Sequence, residues 1–153
     1  MRQLIIFLAS AGYIGYIPFA SGTWGSLVGI PGFWMMDGLA GSPLLAIAVL
    51  AVLILAACWI AGRAEAAFAE HDSGKIVIDE VVGYMAATLF LPLNWKTVII
   101  AFFVFRALDV LKPYPANYID ANFPGGYGVV LDDVVSGIYS NVVTRVLLLL
   151  LPF

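Results

Sequence analysis

The chain alternates between long apolar segments and short polar stretches along most of its length. The segment 43–61 contains no charged residue, and about 20 apolar residues in a helix are enough to cross a bilayer. Further helices are predicted at 76–91, 97–111 and 129–151. The pattern therefore predicts an all-α integral membrane helical bundle of about four to six helices, in a single domain over residues 1–153.

The N-terminal part of the chain has a less regular pattern. Residues 4–20 are apolar but are interrupted by two glycines and a proline, which is typical of an interfacial or partly inserted segment. Residues 21–26 are predicted to form a polar loop, and Pro31 is predicted to break or kink the apolar segment 27–39. Two further polar or Pro/Gly-rich loops are predicted at 63–75 and 113–127.

Composition supports the membrane assignment. The chain is 63% hydrophobic and 11% charged, with a mean hydropathy of +1.01, whereas soluble domains are about 45–50% apolar and about 25% charged. The net charge of -3 argues against a nucleic-acid partner, which would require a basic stripe. Because Cys58 is the only cysteine, disulfides and thiolate metal sites are excluded.

Alternation of the predicted helices across the membrane brings four polar motifs to one face. The motifs are two acidic pairs at the starts of the fourth and sixth helices, a mixed cluster at the end of the fifth helix, and the loop 21–26. Their residues are Asp79 and Glu80; Asp132 and Asp133; Arg106, Asp109 and Lys112; and Thr23 and Ser26. Most Lys and Arg residues fall on this face, so the positive-inside rule predicts that it is cytoplasmic.

The acidic residues predict a metal site. A charged side chain at the centre of a membrane helix costs about 2.5–3.5 kcal/mol on insertion scales, so clustered carboxylates require a compensating cation. The preference of acids for helix N-termini explains one acid in each helix but not two adjacent pairs. Gly83 and Gly137 follow the two pairs at similar spacing, which would let the two helices approach closely.

Mg²⁺ is the predicted metal, with Mn²⁺ as a possible substitute, because every candidate ligand is a hard oxygen. The predicted ligands and catalytic acids are Asp79, Glu80, Asp109, Asp132 and Asp133. One histidine, His71, cannot build a zinc site. It is either a solvated side chain or an accessory proton carrier for a leaving group.

The cationic residues predict phosphate recognition. Arg106 offers a bidentate fork and Lys112 a point charge, although an internal salt bridge with Asp109 would also explain their spacing. Thr23 and Ser26 add hydroxyl groups beside glycines at a helix start, a setting that binds anions but that also occurs in plain turns.

Four motifs resemble those of the phosphatidylglycerophosphatase A family over about residues 10–145. They are Gly22-Thr23-x-Gly25-Ser26, Asp72-x-Gly74-x-Ile76-Val77-x-Asp79-Glu80-x-x-Gly83, Phe105-Arg106-x-x-Asp109-x-x-Lys112-Pro113-x-Pro115 and Gly125-Gly126-x-Gly128-x-x-x-Asp132-Asp133. Some members of that family have proline before the Gly-Thr pair, where this chain has Ser21. The resemblance implies a multi-pass enzyme of the bacterial inner membrane that hydrolyses phosphatidylglycerophosphate to phosphatidylglycerol and phosphate with Mg²⁺.

Several alternatives stay open at this point. The substrate could be another membrane lipid phosphate, and attack could come from a metal-activated water or from an aspartate nucleophile. A cation transporter would also place acids in membrane helices. A transport pathway needs polar groups at every depth, however, and Arg145 is the only charged residue in the far halves of the last three predicted helices. The oligomeric state is left open.

Overall fold

The computed structural model describes residues 1–70 and 73–151, and these residues form α-helices, one short 3₁₀ helix and no strand. The 3₁₀ helix covers Ile14–Tyr16. The α-helices are α1 (Arg2–Ala9), α2 (Ser21–Asp37), α3 (Pro43–Phe68), α4 (Ile78–Thr88), α5 (Trp95–Leu111), α6 (Ala116–Asn122) and α7 (Gly126–Leu150). The all-α prediction is therefore confirmed. His71 and Asp72 lie outside the described residues.

The predicted number of helices, four to six, was too low, because the described residues form seven α-helices. The additional helix is α6, which lies inside the predicted loop 113–127. Pro115 immediately precedes α6, where its missing N–H costs nothing, and the helix itself contains neither proline nor glycine.

The polar loop predicted at 21–26 was also wrong, since these residues form the first turns of α2. Glycine is a poor helix former in isolation, but here it allows α2 to pack closely on α4. A Cβ atom on Gly25 would lie 2.9 Å from Cβ of Val77, and one on Gly29 would lie 2.9 Å from Cβ of Tyr84. Tertiary packing thus outweighs local propensity, and Pro31 lies inside the same helix.

Two described helices, α3 and α7, are long and apolar enough to cross a membrane. Helix α3 continues to Phe68, so Arg63 lies in a helix and not in the predicted loop 63–75. Helix α4 is shorter than predicted: its 11 residues reach about 16 Å at about 1.5 Å each. That length is roughly half of the hydrocarbon thickness of about 30 Å.

Helix α7 supports the early end of α4. The side-chain amide of Asn141 donates to the carbonyl oxygens of Ala87 and Leu89 at 3.0 and 2.9 Å. The guanidinium of Arg145 donates to those of Leu89 and Phe90, both at 3.0 Å. These bonds satisfy carbonyl groups at the end of α4, which would otherwise be costly in an apolar environment.

The predicted close approach of the two acidic helices is confirmed. A Cβ atom on Gly83 would lie 3.0 Å from the carbonyl oxygen of Asp133, and one on Gly137 would overlap the carbonyl oxygen of Gly83. Backbone therefore meets backbone between α4 and α7, which brings the beginnings of both helices together.

Candidate active site

Three carboxylates from two helices form a compact cluster. Asp79 and Glu80 lie in the first turn of α4, and Asp133 lies in α7. One oxygen from each side chain can be chosen so that all three lie within 4.8 Å of one another. Asp79 and Asp133 are buried, with 7% and 3% of their surface exposed. We call these three residues the acidic triad.

The chemistry of the acidic triad fits a divalent cation. Among the residues that the structure describes, one buried oxygen of Glu80 and one of Asp133 have no hydrogen-bond partner. Burying a carboxylate oxygen without a partner is costly, so these atoms are suited to coordinating a cation. A set made only of carboxylate oxygens favours Mg²⁺ or Mn²⁺ over softer metals. The acidic triad can therefore hold a metal ion.

Arg106 and Asp109 lie on α5 at the edge of the acidic triad. The guanidinium of Arg106 forms an ion pair with the carboxylate of Asp109. Asp109 also adjoins Asp133. Arg106 adjoins Glu80, because a Cβ atom on Gly22 would contact both side chains. The structure thus places both residues beside the acidic triad but outside the tight three-residue group. Asp109 thus lies between the guanidinium of Arg106 and the carboxyl group of Asp133.

Lys112 and Asp132 form a second ion pair, outside the acidic triad. The ammonium of Lys112 lies 2.7 Å from a carboxylate oxygen of Asp132 and 3.1 Å from one of Asp120 in α6. Partial burial opposes the charge on Lys112, but the carboxylates of Asp132 and Asp120 outweigh burial and raise its pKa above the ordinary lysine value. Lys112 therefore stays protonated and joins the segment after α5 to α6 and α7.

The first turn of α2 lies against the charged groups of α4 and α5. A Cβ atom on Gly22 would lie 3.0 Å from both terminal nitrogens of Arg106, and one on Gly25 would lie 3.2 Å from Oε2 of Glu80. The predicted anion-binding motif thus lies close to the predicted cationic and acidic groups. Its glycines provide the contact, because a side chain at either position would displace a charged group.

The two hydroxyl residues of this motif have different positions. Ser26 is fully buried, and its hydroxyl donates to the carbonyl oxygen of Gly22 at 2.9 Å, so it serves its own helix. Thr23 is partly buried one residue after Gly22. The structure therefore brings Thr23 near the site by position, while the hydroxyl of Ser26 stabilises the α2 turn.

Sequence reasoning missed Asp120 as a partner of Lys112 and Asn141 as the residue that caps α4. Asp120 lies in a seven-residue helix that has no apolar repeat to reveal it. Asn141 is a single amide in an apolar segment. A lone amide at membrane depth is a usable signal, because it requires a polar partner there.

The combined arrangement can bind a metal ion and an anion side by side. Three acids offer oxygen ligands, and the guanidinium of Arg106 adjoins Glu80. Phosphate oxygens are recognised by guanidinium groups and by divalent cations. The site is thus equipped for phosphoryl chemistry.

Comparison with known proteins gives the same family as the motifs. The family model for phosphatidylglycerophosphatase A matches residues 7–148. Phosphatidylglycerophosphatase A of Haemophilus influenzae is 37% identical over 130 residues, which cover 84% of this chain and 79% of the relative. The Escherichia coli protein of the same name is 35% identical over 127 residues, covering 82% and 73%.

A third relative carries a different name. The "Putative phosphatidylinositol-3-phosphatase" of Bacteroides thetaiotaomicron is 36% identical over 140 residues, which cover 86% of both chains. No solved structure matches the chain.

Proposed function

The chain belongs to the phosphatidylglycerophosphatase A family, and from that premise we propose that it hydrolyses phosphatidylglycerophosphate to phosphatidylglycerol and phosphate. The observation that carries the proposal is the acidic triad beside Arg106, in a chain with two helices able to cross a membrane. A phosphomonoester at a membrane surface needs these components: a metal ion, a cation for its oxygens and an apolar anchor for the lipid.

Asp79, Glu80 and Asp133 would hold Mg²⁺. When bound, the ion would supply Lewis-acid charge and a more acidic water. One buried oxygen of Glu80 and one of Asp133 have no hydrogen-bond partner among the described residues, which makes them suitable ligands. Because both Asp79 and Glu80 belong to the first turn of α4, the positive end of that helix adds a favourable field for the carboxylates.

Arg106 would bind the phosphoryl oxygens with the N–H groups that Asp109 does not occupy. A guanidinium has five N–H donors in a fixed fork, so pairing with one carboxylate leaves donors for a phosphate. Asp109 would orient that fork. We propose that Lys112 likewise contacts the phosphoryl group and that Asp132 orients it, because the carboxylates of Asp132 and Asp120 fix the Lys112 ammonium.

The hydrolysis site would face the cytoplasm in a multi-pass protein of the bacterial inner membrane. The positive-inside bias supports this orientation. A cysteine introduced at the exposed Asn122 in a Cys58→Ala background tests it. A membrane-impermeant thiol reagent should label that cysteine in inside-out vesicles and not in intact cells. Labelling of intact cells would reverse the orientation.

A second lipid substrate is favoured by one observation. The Bacteroides thetaiotaomicron relative bears the name of a phosphoinositide phosphatase and is as similar to this chain as the two others. Both substrate classes carry a phosphomonoester on the polar headgroup of a diacyl phospholipid. We therefore propose a phosphatidylinositol phosphate as the alternative substrate.

Phosphate release in detergent by the purified protein distinguishes these possibilities. The panel contains phosphatidylglycerophosphate, phosphatidylinositol 3-phosphate and phosphatidic acid with matched acyl chains, each with and without Mg²⁺. We expect the highest kcat/KM for phosphatidylglycerophosphate and no turnover by Asp79→Asn. A higher kcat/KM for the inositol lipid would transfer the assignment to the alternative, and no release from any lipid would refute both.

A further inference from the structure

A groove of about 690 Å³ lies between α1 and the last turns of α3, and none of its lining residues belongs to the candidate active site. Most of its wall is apolar, and two arginines border it. The apolar lining includes Leu4, Ile5 and Leu8 of α1 and Trp59 and Ala66 of α3, and the arginines are Arg2 and Arg63. Its volume is within the range of about 300–1,000 Å³ that is typical of small-molecule sites.

The border of the groove is cationic although the chain as a whole is acidic. Arg63 lies over the ring of Trp59, with 5.5 Å between Cζ and the ring centroid. Arg2 donates one hydrogen bond to the carbonyl oxygen of Ala67 at 2.9 Å. Both arginines are exposed, and each guanidinium has five N–H donors, so both retain donors for an anion.

The only acidic residue of α3, Glu65, lies on a different side of the helix from this border. Glu65 lies two residues after Arg63, and its Oε2 atom would be 3.6 Å from a Cβ atom on Gly125. Glu65 thus faces the start of α7, whereas the groove lies on the α1 side of α3. The groove therefore presents positive charge at its edge and hydrocarbon along its wall.

The depths of these residues match the two parts of a phospholipid. Arg63 lies five residues before Phe68, the end of α3, which is about 7.5 Å along the axis. Trp59 lies one turn deeper, and tryptophan prefers the boundary between headgroups and hydrocarbon. The apolar side chains of Leu4, Ile5 and Leu8 continue the wall.

We propose that this groove binds one anionic diacyl phospholipid at a site separate from the active site. Its phosphate contacts Arg2 and Arg63, and one acyl chain lies along the α1 wall. The positive border is complementary to an anionic headgroup, and the apolar wall requires a hydrocarbon chain. This lipid is a bound component of the protein and not its substrate.

Native mass spectrometry of the full chain in detergent tests the proposal with phosphatidylserine and phosphatidylcholine of identical acyl chains. Neither lipid carries a phosphomonoester, so neither is a substrate of the proposed reaction. We expect one retained phosphatidylserine for each chain and clearly weaker retention of phosphatidylcholine. Arg2→Gln or Arg63→Gln should weaken phosphatidylserine binding about fivefold each, and the double variant about thirtyfold, as for basic residues near an anionic membrane surface.

Two further variants test whether the groove itself holds the lipid. Ala66→Phe fills the groove and leaves its charge intact, so it should also reduce binding. Arg106→Gln removes one cation of the candidate active site, outside the groove, and should leave phosphatidylserine binding unchanged. Because the measurement is binding and not turnover, its failure is distinguishable from failure of the proposed phosphatase.

Four outcomes would overturn the proposal. They are unchanged phosphatidylserine binding in the double arginine variant, loss of binding in Arg106→Gln, equal retention of both lipids, and a dimer that occupies the groove and dissociates in Ala66→Phe. The second outcome would assign the lipid to the active site. The last would make this surface an interface between two copies of the chain.

Discussion

Gly137→Ala tests whether close packing of α4 on α7 sets the geometry of the acidic triad. The added Cβ atom would overlap the carbonyl oxygen of Gly83 and lie 3.2 Å from both the Cβ atom of Ala86 and the backbone nitrogen of Ala87. Carbon–oxygen contacts begin at about 3.3 Å, so the two helices must separate by on the order of 1 Å. No flexible side chain is available to absorb this change.

The separation moves Asp133 away from Asp79 and Glu80, because Asp133 lies one turn before Gly137 on the same helix. Overpacking of this kind costs about 1–3 kcal/mol of folding free energy. A misplacement of about 1 Å in a catalytic site can cost about a hundredfold in rate. We therefore expect kcat/KM to fall by one to two orders of magnitude, about 10- to 100-fold, with a lower melting temperature.

Gly41→Ala is the matched control, because a Cβ atom on Gly41 meets no other atom within 4 Å. Phosphate release and thermal unfolding in detergent are measured for both variants across a range of Mg²⁺ concentrations. Gly41→Ala should retain the activity of the original protein, and excess Mg²⁺ should partly rescue Gly137→Ala if metal binding is what weakened. Equal activity and equal melting temperature in the two variants would refute the argument from helix spacing.

Three further predictions concern the site itself. Chelation should abolish turnover and Mg²⁺ should restore it, so full activity in excess chelator would exclude the metal. Replacing any member of the acidic triad by its amide should lower kcat at least about a hundredfold. The control Asp37→Asn, at the exposed end of α2, should have no effect. Near-normal activity in two triad variants would refute the proposal of a single site. Arg106→Lys should lower kcat/KM, because it keeps the charge and loses the bidentate guanidinium. If an Arg106→Ala, Asp109→Ala double variant recovers activity that either single alanine variant loses, the pair is only structural.

The sequence predicted the acidic pairs and their common face, but not which acids of each pair enter the acidic triad. Adjacent residues on a helix point about 100° apart, so one surface rarely receives both. In α7, Asp133 joins the acidic triad and Asp132 turns to Lys112. In α4, both acids reach the site because the helix begins between α7 and the first turn of α2, beside Gly25. That arrangement depends on the first turns of α2, which were predicted as a loop because they contain glycines.

The helix boundaries that prediction missed share a physical cause. Residues 21–26 resemble a loop because isolated glycines disfavour helices, yet the contact with α4 requires residues without side chains. Helix α4 ends at Thr88, and carbonyls at that end are bonded by the distant Asn141. Both outcomes depend on contacts between segments distant in sequence, which local patterns do not contain.

Helix α7 holds both ends of α4. Asp133 meets the first turn of α4, and Asn141 binds the carbonyls at its other end, so α7 contacts α4 at both termini. The interval from Asp133 to Asn141 is eight residues, equal to that from Asp79 to Ala87, or about 12 Å in each helix. Matching intervals keep the two helices in register. Because α7 is also long and apolar enough to cross a membrane, it can fix a short polar-ended helix at the level of a lipid headgroup, where a phosphomonoester would be presented.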